Sequence, residues 1–338
     1  SFTGNLDPGY LDLTGYAFLA TNADELTAAL KQAMNIIRES TYSFTQASVQ
    51  AVRLRDESFI YAASFQPLSN DSLWIGYMKR FSIDNSTGAV STTEDWDAGA
   101  ILKATAAADR NILTIVDSSG LKAFNTTNVT DALLGLPVSS TDASVCTTAA
   151  CIINFIRGGD VNYLATSDYY AWKLGDIFHT SPLSIATPNI NYYDSNDTSS
   201  PKSFQVYRTS ASNIRTPANT KRIILVGAND GQVHAFKAGT ASGTTAGGSE
   251  AWSFIPPNQL SRLKNIAHSS HTTLQRHKYF VDGPLSSSDL WLGSGGTIGE
   301  TAKSASDWRT YMVVAEGRGG SSTLWSSSAT CTSGFSPT

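Results

Sequence analysis

Residues 225–236 read LVGANDGQVHAF. An apolar run breaks at Gly227-Ala228-Asn229-Asp230-Gly231, and apolar residues then return in alternation. Three readings compete for such a stretch: an ordinary hairpin, a cofactor loop, or one copy of a repeat. Asn229-Asp230-Gly231 has hairpin-turn chemistry, with positive φ expected at Gly231. A cofactor loop would need a Gly-x-Gly-x-x-Gly run opening a helix, which is not here.

Two echoes elsewhere in the chain favour the repeat. Phe81 precedes Trp96 by fifteen residues, and Phe236 precedes Trp252 by sixteen; both intervals hold a strand, a Gly-containing turn and an acidic residue shortly before the Trp. The run ILTIVDSSGLKAF likewise parallels IILVGANDGQVHAF, each a β-favouring run, an Asp-containing turn and a second run ending in Ala-Phe. These are expected to be degenerate copies of a four-stranded blade, with the aromatic packed between neighbouring sheets.

Outward from this core the chain is mainly β. Beyond about residue 41, short β-favouring runs alternate with Gly, Asn, Asp and Ser turns, as in a sandwich, barrel or propeller. Strands are expected at 59–65, 73–83, 112–116, 223–226 and 311–315, with short helices at DALLGL (131–136) and PPNQLSRLKNIAH (256–268). The segment TASGTTAGGSEA reads as a surface insertion. Upstream, TNADELTAALKQAMNIIRES spaces Leu26, Ala29, Leu30, Ala33, Ile36 and Ile37 as an amphipathic helix, with Asn22 or Asp24 as N-cap. The opening residues look like the middle of a domain, so the chain is expected to be a fragment: residues 1–40 the end of one domain, 41–338 part of a propeller.

With 338 residues the chain can bury a substantial core, and 15% charged residues with a net charge of −4 do not suggest a nucleic-acid or anionic-membrane partner. No apolar run reaches the roughly 18 residues of a membrane span. Cys146 and Cys151 bracket CTTAAC, a spacing that can close a small disulfide loop; two buried thiols are the alternative. Cys331 is left without a partner, which would then lie outside these residues.

Five motifs occur in order: LGDIFHTSP (Gly175, Asp176, His179), GANDGQVHAF (Asn229, Asp230, Gly231, His234), EAWSFIPPNQLSRLKNI (Trp252), HKYFVDGPLSSSDLW (Asp282, Gly283) and DWRTYMVVAEGRGG (Trp308, Arg309). Together they resemble the PilC/PilY family of type IV pilus tip-associated proteins, in its β-propeller region. The resemblance spans about the whole chain, and the helix at residues 24–39 resembles the last helix of the von Willebrand factor A domain that precedes the propeller in many members. It implies an exported, non-catalytic tip component of a type IV pilus. Such a component promotes pilus assembly and extension with major and minor pilins, and adheres to a surface or host ligand. It further implies that the rest of the propeller, or a covering polypeptide, completes the fold. The family's metal-binding loops are not recognisable here, so the resemblance places calcium in the missing part of the parent protein and no cofactor in this fragment.

Other chemistry is weaker in the residues. DSNDTSSPKSFQ is the nearest approach to a calcium loop: Asp194 and Asn196 stand at ligand positions, but Ser199 replaces the turn Gly and Gln205 the terminal carboxylate. HSSHTTLQRH holds His268, His271 and His277 in what reads as a polar, exposed link rather than a zinc site. His179 and His234 read as packed, hydrogen-bonded structural side chains. Sequons at Asn70, Asn85, Asn125, Asn128 and Asn196 matter only if the protein is glycosylated. GANDG also resembles repeats of quinoprotein dehydrogenases, so a secreted quinoprotein-like oxidoreductase is the alternative function. Those enzymes often stack the quinone on a disulfide of adjacent cysteines, and this chain has no adjacent cysteines.

Overall fold

In the computed structural model the turn at Asn229–Gly231 joins two strands as expected, with Gly231 at φ +93°. The structure describes residues 48–49, 59–67, 73–138, 145–159, 172–218, 221–239, 246–267, 277–293 and 303–320, all within one compact unit, Ser43–Thr338. The helix at 24–39, its N-cap, His268, His271 and Cys331 lie outside the described residues.

Strands β1 (Ser48–Val49), β2 (Phe59–Gln66), β3 (Ile75–Ser82) and β4 (Trp96–Asp97) form an antiparallel sheet in sequence order. Alternation sets its faces. Tyr61, Ala63 and Phe65 on β2 are buried, and the residues between them are half-buried. After β4 come helix α1 (Ala98–Ala104), capped by Asp97 Oδ1 accepting from Gly99 N at 2.9 Å, and the hairpin β5 (Ile112–Ile115) and β6 (Leu121–Ala123). Helix α2 (Ala149–Arg157) is capped by Thr148 and ends at Gly158 in the left-handed region.

A second antiparallel run follows: β7 (Leu183–Ile185), β8 (Ile223–Gly227), β9 (Val233–Lys237) and β10 (Glu250–Phe254). Helices α3 (Asn191–Asn196) and α4 (Ser203–Thr209) interrupt it between β7 and β8. The outer edge of β10 pairs in parallel with β5, which extends the sheet to six strands. A 3₁₀ segment, Pro257–Asn265, then leads to the ribbon β11 (Leu285–Trp291) and β12 (Trp308–Val314).

The two Phe–Trp copies occupy matching places. Arg80, next to Phe81, pairs with Trp96 across β3–β4, and Phe236 pairs with Glu250, two residues before Trp252, across β9–β10. Trp96 is buried between the first two sheets with Tyr61, Met78, Ile224 and Phe236, and its Nε1 donates to Gly239 O at 2.9 Å. Trp252 packs between the second sheet and the ribbon, beside Leu225, Leu285 and Val314. Both tryptophans therefore lie between neighbouring sheets.

Three expectations need correction. The hairpins at 112–124 and 223–236 are alike locally, but they lie in one sheet as an appended hairpin and a central one, not as equivalent parts of successive units. Residues 131–136 form turns rather than a helix, whereas the short helix expected after Pro256 is present, wound as a 3₁₀ helix over Pro257–Asn265. Helix is also less scarce than expected. In α2, Ala149, Ile152, Ile153 and Ile156 turn one face onto Phe124, Leu260 and Phe280 in the largest core cluster. The Cys146–Cys151 disulfide is formed, with Cα atoms 5.4 Å apart, and it ties the first turn of α2 to the strand-like segment before it.

Candidate functional site

The turn 228–231 is unusual in being buried: Asn229 is 0% exposed and Asp230 3%. A hairpin tip of Asn and Asp normally faces water, because buried polar groups must be hydrogen-bonded. Here the other motif residues satisfy them.

Asn229 is the first centre. Its main-chain N–H donates to Asp176 O at 3.0 Å and its Nδ2 to Asp176 Oδ2 at 2.7 Å. A longer contact of 3.4 Å runs from Nδ2 to Asp282 Oδ1, while Asn229 Oδ1 accepts from Phe280 N at 2.8 Å. Asp176 and Asp282 each hold a histidine: His277 Nε2 is 2.8 Å from Asp176 Oδ1, and His179 Nδ1 is 2.6 Å from Asp282 Oδ2. Burial pushes the Asp176 carboxyl above its ordinary value, against the opposing contacts of His277 and Asn229.

Asp230 begins a second branch. Its Oδ2 accepts from Gly175 N at 2.8 Å and meets His234 Nε2 at 3.0 Å, and its Oδ1 accepts from Gln232 N at 3.0 Å. His234 Nδ1 reaches Glu250 Oε1 at 2.8 Å, and Arg110 grips Glu250 with Nε and Nη2, each at 2.9 Å. Arg110 also donates to Ile156 O and Gln232 Oε1. Burial by itself would depress the His234 pKa, but Asp230 and Glu250 outweigh it and raise it to about 9. Glu250 is likewise buried, yet Arg110 and His234 hold its carboxyl well below the usual range. Two carboxylates thus face two cations, the arrangement in which a buried charge is tolerated.

In this cluster the structure brings together many of the residues that the sequence motifs single out. Gly175, Asp176, His179, Asn229, Asp230, Gly231, His234, Asp282 and Gly283 converge on it. Gly175 is needed for the approach, since a Cβ there would lie 2.8 Å from Asp230 Cβ. His234 is packed and hydrogen-bonded as expected. His179 is hydrogen-bonded but not packed, its side chain being 40% exposed. His277 is the clearest correction: instead of lying in an exposed link, it stacks on Trp74 with ring centroids 3.9 Å apart and pairs with Asp176. Arg110, Gln232 and Glu250 were missed; an acidic residue before Trp252 was noted only as part of the repeat.

The remaining motif residues lie elsewhere. Trp308 donates from Nε1 to Ser203 Oγ at 2.9 Å and packs on Phe204 and Tyr207, while Arg309 is exposed on β12. Asp194 and Asn196 sit on α3, where residues two apart point in divergent directions, and Asp194 Oδ2 is paired with Arg208 at 2.8 Å. That geometry does not fit a calcium loop. The buried acceptor of this region is Asp197, which takes bonds from Ser203 Oγ and from the main-chain N–H groups of Ser199 and Phe204.

Chemically, the network is a set of buried polar cross-links between segments far apart in sequence, and it belongs to a mainly β protein assembled from antiparallel meanders. Comparison with known proteins gives that class a particular setting. The chain is similar to the type IV pilus biogenesis factor PilY1 of Pseudomonas aeruginosa (strain UCBPP-PA14), 26% identical over 322 residues, covering 90% of this chain and 25% of that protein. Two PilY1 homologues of Xylella fastidiosa (strain Temecula1 / ATCC 700964) are 25% and 24% identical over 307 and 341 residues, each match covering 90% of this chain and 21% of the relative. The sequence is thus similar to PilY1-type proteins along nearly its whole length, and it spans a fifth to a quarter of the curated relatives it matches. No family model and no solved structure matches.

Proposed function

We propose that the chain is part of a type IV pilus biogenesis factor that acts without catalysis, as a rigid binding scaffold at the cell surface or pilus tip. The observation that carries this reading is the similarity to three PilY1-type proteins over 90% of the chain. The fold supports it. Two four-stranded meanders, each with a tryptophan against the next sheet, suit residues 41–338 as part of a propeller, and the buried network would keep that scaffold rigid. Residues 1–40 would close a preceding von Willebrand factor A-type domain. Pilins are the proposed partners for assembly, and a surface or host ligand the partner for adhesion. Among the described residues no helix is long and apolar enough to cross a membrane.

Surface pili counted by electron microscopy on cells lacking the gene for the whole protein test this reading. Bald cells restored by complementation would support a role in assembly, and normal pili with lost attachment a role in adhesion alone. Unchanged pili and unchanged attachment would overturn the proposal.

A further inference from the structure

A cleft of about 490 Å³ lies between α4, the loop that follows it, and β12. Its size is within the range of about 300–1,000 Å³ usual for small-molecule sites. Two guanidinium groups, Arg215 and Arg309, line it, and no carboxylate does. Arg215 is anchored by donating to Ala186 O at 3.2 Å and to Thr310 Oγ1 at 3.0 Å, which leaves further N–H groups for a ligand. Arg309, among the described residues, bonds only to main-chain oxygens of its own neighbourhood, those of Ser306 and Trp308. Among the described residues neither arginine has a carboxylate at ion-pair distance. Asp289, whose carboxyl feels the charge of Arg215, accepts from Thr310 Oγ1 at 2.7 Å and lies outside the lining.

The rest of the wall is rich in neutral hydrogen-bonding groups. Asn213 spends Nδ2 on Tyr207 O and Ser210 Oγ, so its Oδ1 remains as an acceptor, and Ser212 and Ser306 add hydroxyls. We propose that this cleft binds a small carboxylate that also carries hydroxyl groups, of which a uronic acid is the simplest example. The guanidinium pair takes the carboxylate, through charge-assisted bonds about twice as strong as neutral ones, and the serine and asparagine groups exchange hydrogen bonds with the hydroxyls. This inference rests on the cleft and is independent of the pilus reading.

Titration calorimetry of the 338-residue chain with sodium glucuronate, glucose and sodium acetate tests it. Glucuronate is expected to bind at least tenfold more tightly than either glucose, which lacks the charge, or acetate, which lacks the hydroxyls. Arg309→Ala is the decisive variant, because the exposed Arg309 can be removed without touching the core, whereas Arg215→Ala also removes an anchor of β12. Arg309→Ala should weaken glucuronate binding at least fivefold with an unchanged unfolding midpoint, and Arg309→Lys should recover part of the loss. No saturable binding of glucuronate, equal binding of glucose or acetate, or an Arg309→Ala variant that binds as the parent would each overturn the proposal. A glucuronate-containing oligosaccharide that binds more tightly than the free sugar would identify a polysaccharide as the source of the ligand; equal affinity would identify the monosaccharide.

Discussion

Asn229 and Asp176, 53 residues apart, are joined twice: the Asn229 main-chain N–H donates to the Asp176 carbonyl at 3.0 Å, and Asn229 Nδ2 donates to the Asp176 carboxylate at 2.7 Å. One side chain thereby fixes a turn to a distant segment and, through its own Oδ1, to Phe280 N. Removing it strands groups that water cannot reach.

Asn229→Ala is therefore expected to destabilise the chain by about 2–4 kcal/mol, because the Asp176 carboxylate and the Phe280 N–H both lose a buried partner. Asn229→Asp should cost more, since it places a third carboxylate beside Asp176 and Asp282. Urea unfolding midpoints of the two variants against the parent check both the size and the order.

The His234 cluster makes stability depend on pH in a defined direction. His234 is raised to about 9 in the folded chain, against about 6.5 when unfolded, so its contribution is complete below pH 6.5 and is lost as the pH rises towards 9. Lys173 acts oppositely. Burial, then the nearby Arg110, depresses it to about 8, so above that pH the unfolded chain holds the extra proton and part of the loss is offset. Stability should fall between about pH 6.5 and 8 and then level, and His234→Gln should remove the fall while lowering stability throughout. A pH series of denaturation midpoints that shows no decline in the parent would contradict this.

Gly175 and Gly88 make a contrasting pair. Alanine at 175 would put its Cβ 2.7 Å from Asp230 N and 2.8 Å from Asp230 Cβ, a clash with buried backbone. Gly88 has open space around the same atom, and only its φ of +75° opposes alanine, at about 1 kcal/mol. Gly175→Ala should be the more damaging by at least twofold in unfolding free energy; equal effects would mean that the approach of the two segments is loose.

The disulfide closes a short loop, so its effect is limited. Replacing Cys146 and Cys151 together by Ser should cost about 2 kcal/mol through the chain-entropy term for so small a ring. Circular dichroism at 222 nm during thermal unfolding would show whether α2 melts with the rest of the chain or before it.

Much of the fold is legible in the residues, for identifiable reasons. Strand positions follow from β-favouring runs between turn residues, and the φ of Gly231 follows from Asn-Asp-Gly. The inter-sheet tryptophans follow from two similar Phe-to-Trp intervals. Where local pattern misled, the cause was tertiary. Alternation cannot show that β5 pairs with the edge of β10, and the six residues from Cys146 to Cys151 look like a loop until Ile152, Ile153 and Ile156 find a core to bury against. His277 is the sharpest case, its flanking residues being polar while its ring stacks on Trp74, far upstream. The sequence by itself determined the strand-and-turn composition and the motif residues that mark the PilY1-type similarity, because each rests on neighbours within a few positions; that Cys146 and Cys151 are bonded rather than two buried thiols is seen only in the structure. Only the tertiary structure decided that Asn229, Asp176, Asp282 and two histidines form one network, with Arg110 and Glu250 completing its second branch. Burial is a property of the packed sheets, and a polar side chain becomes a cross-link only after water has been excluded from it.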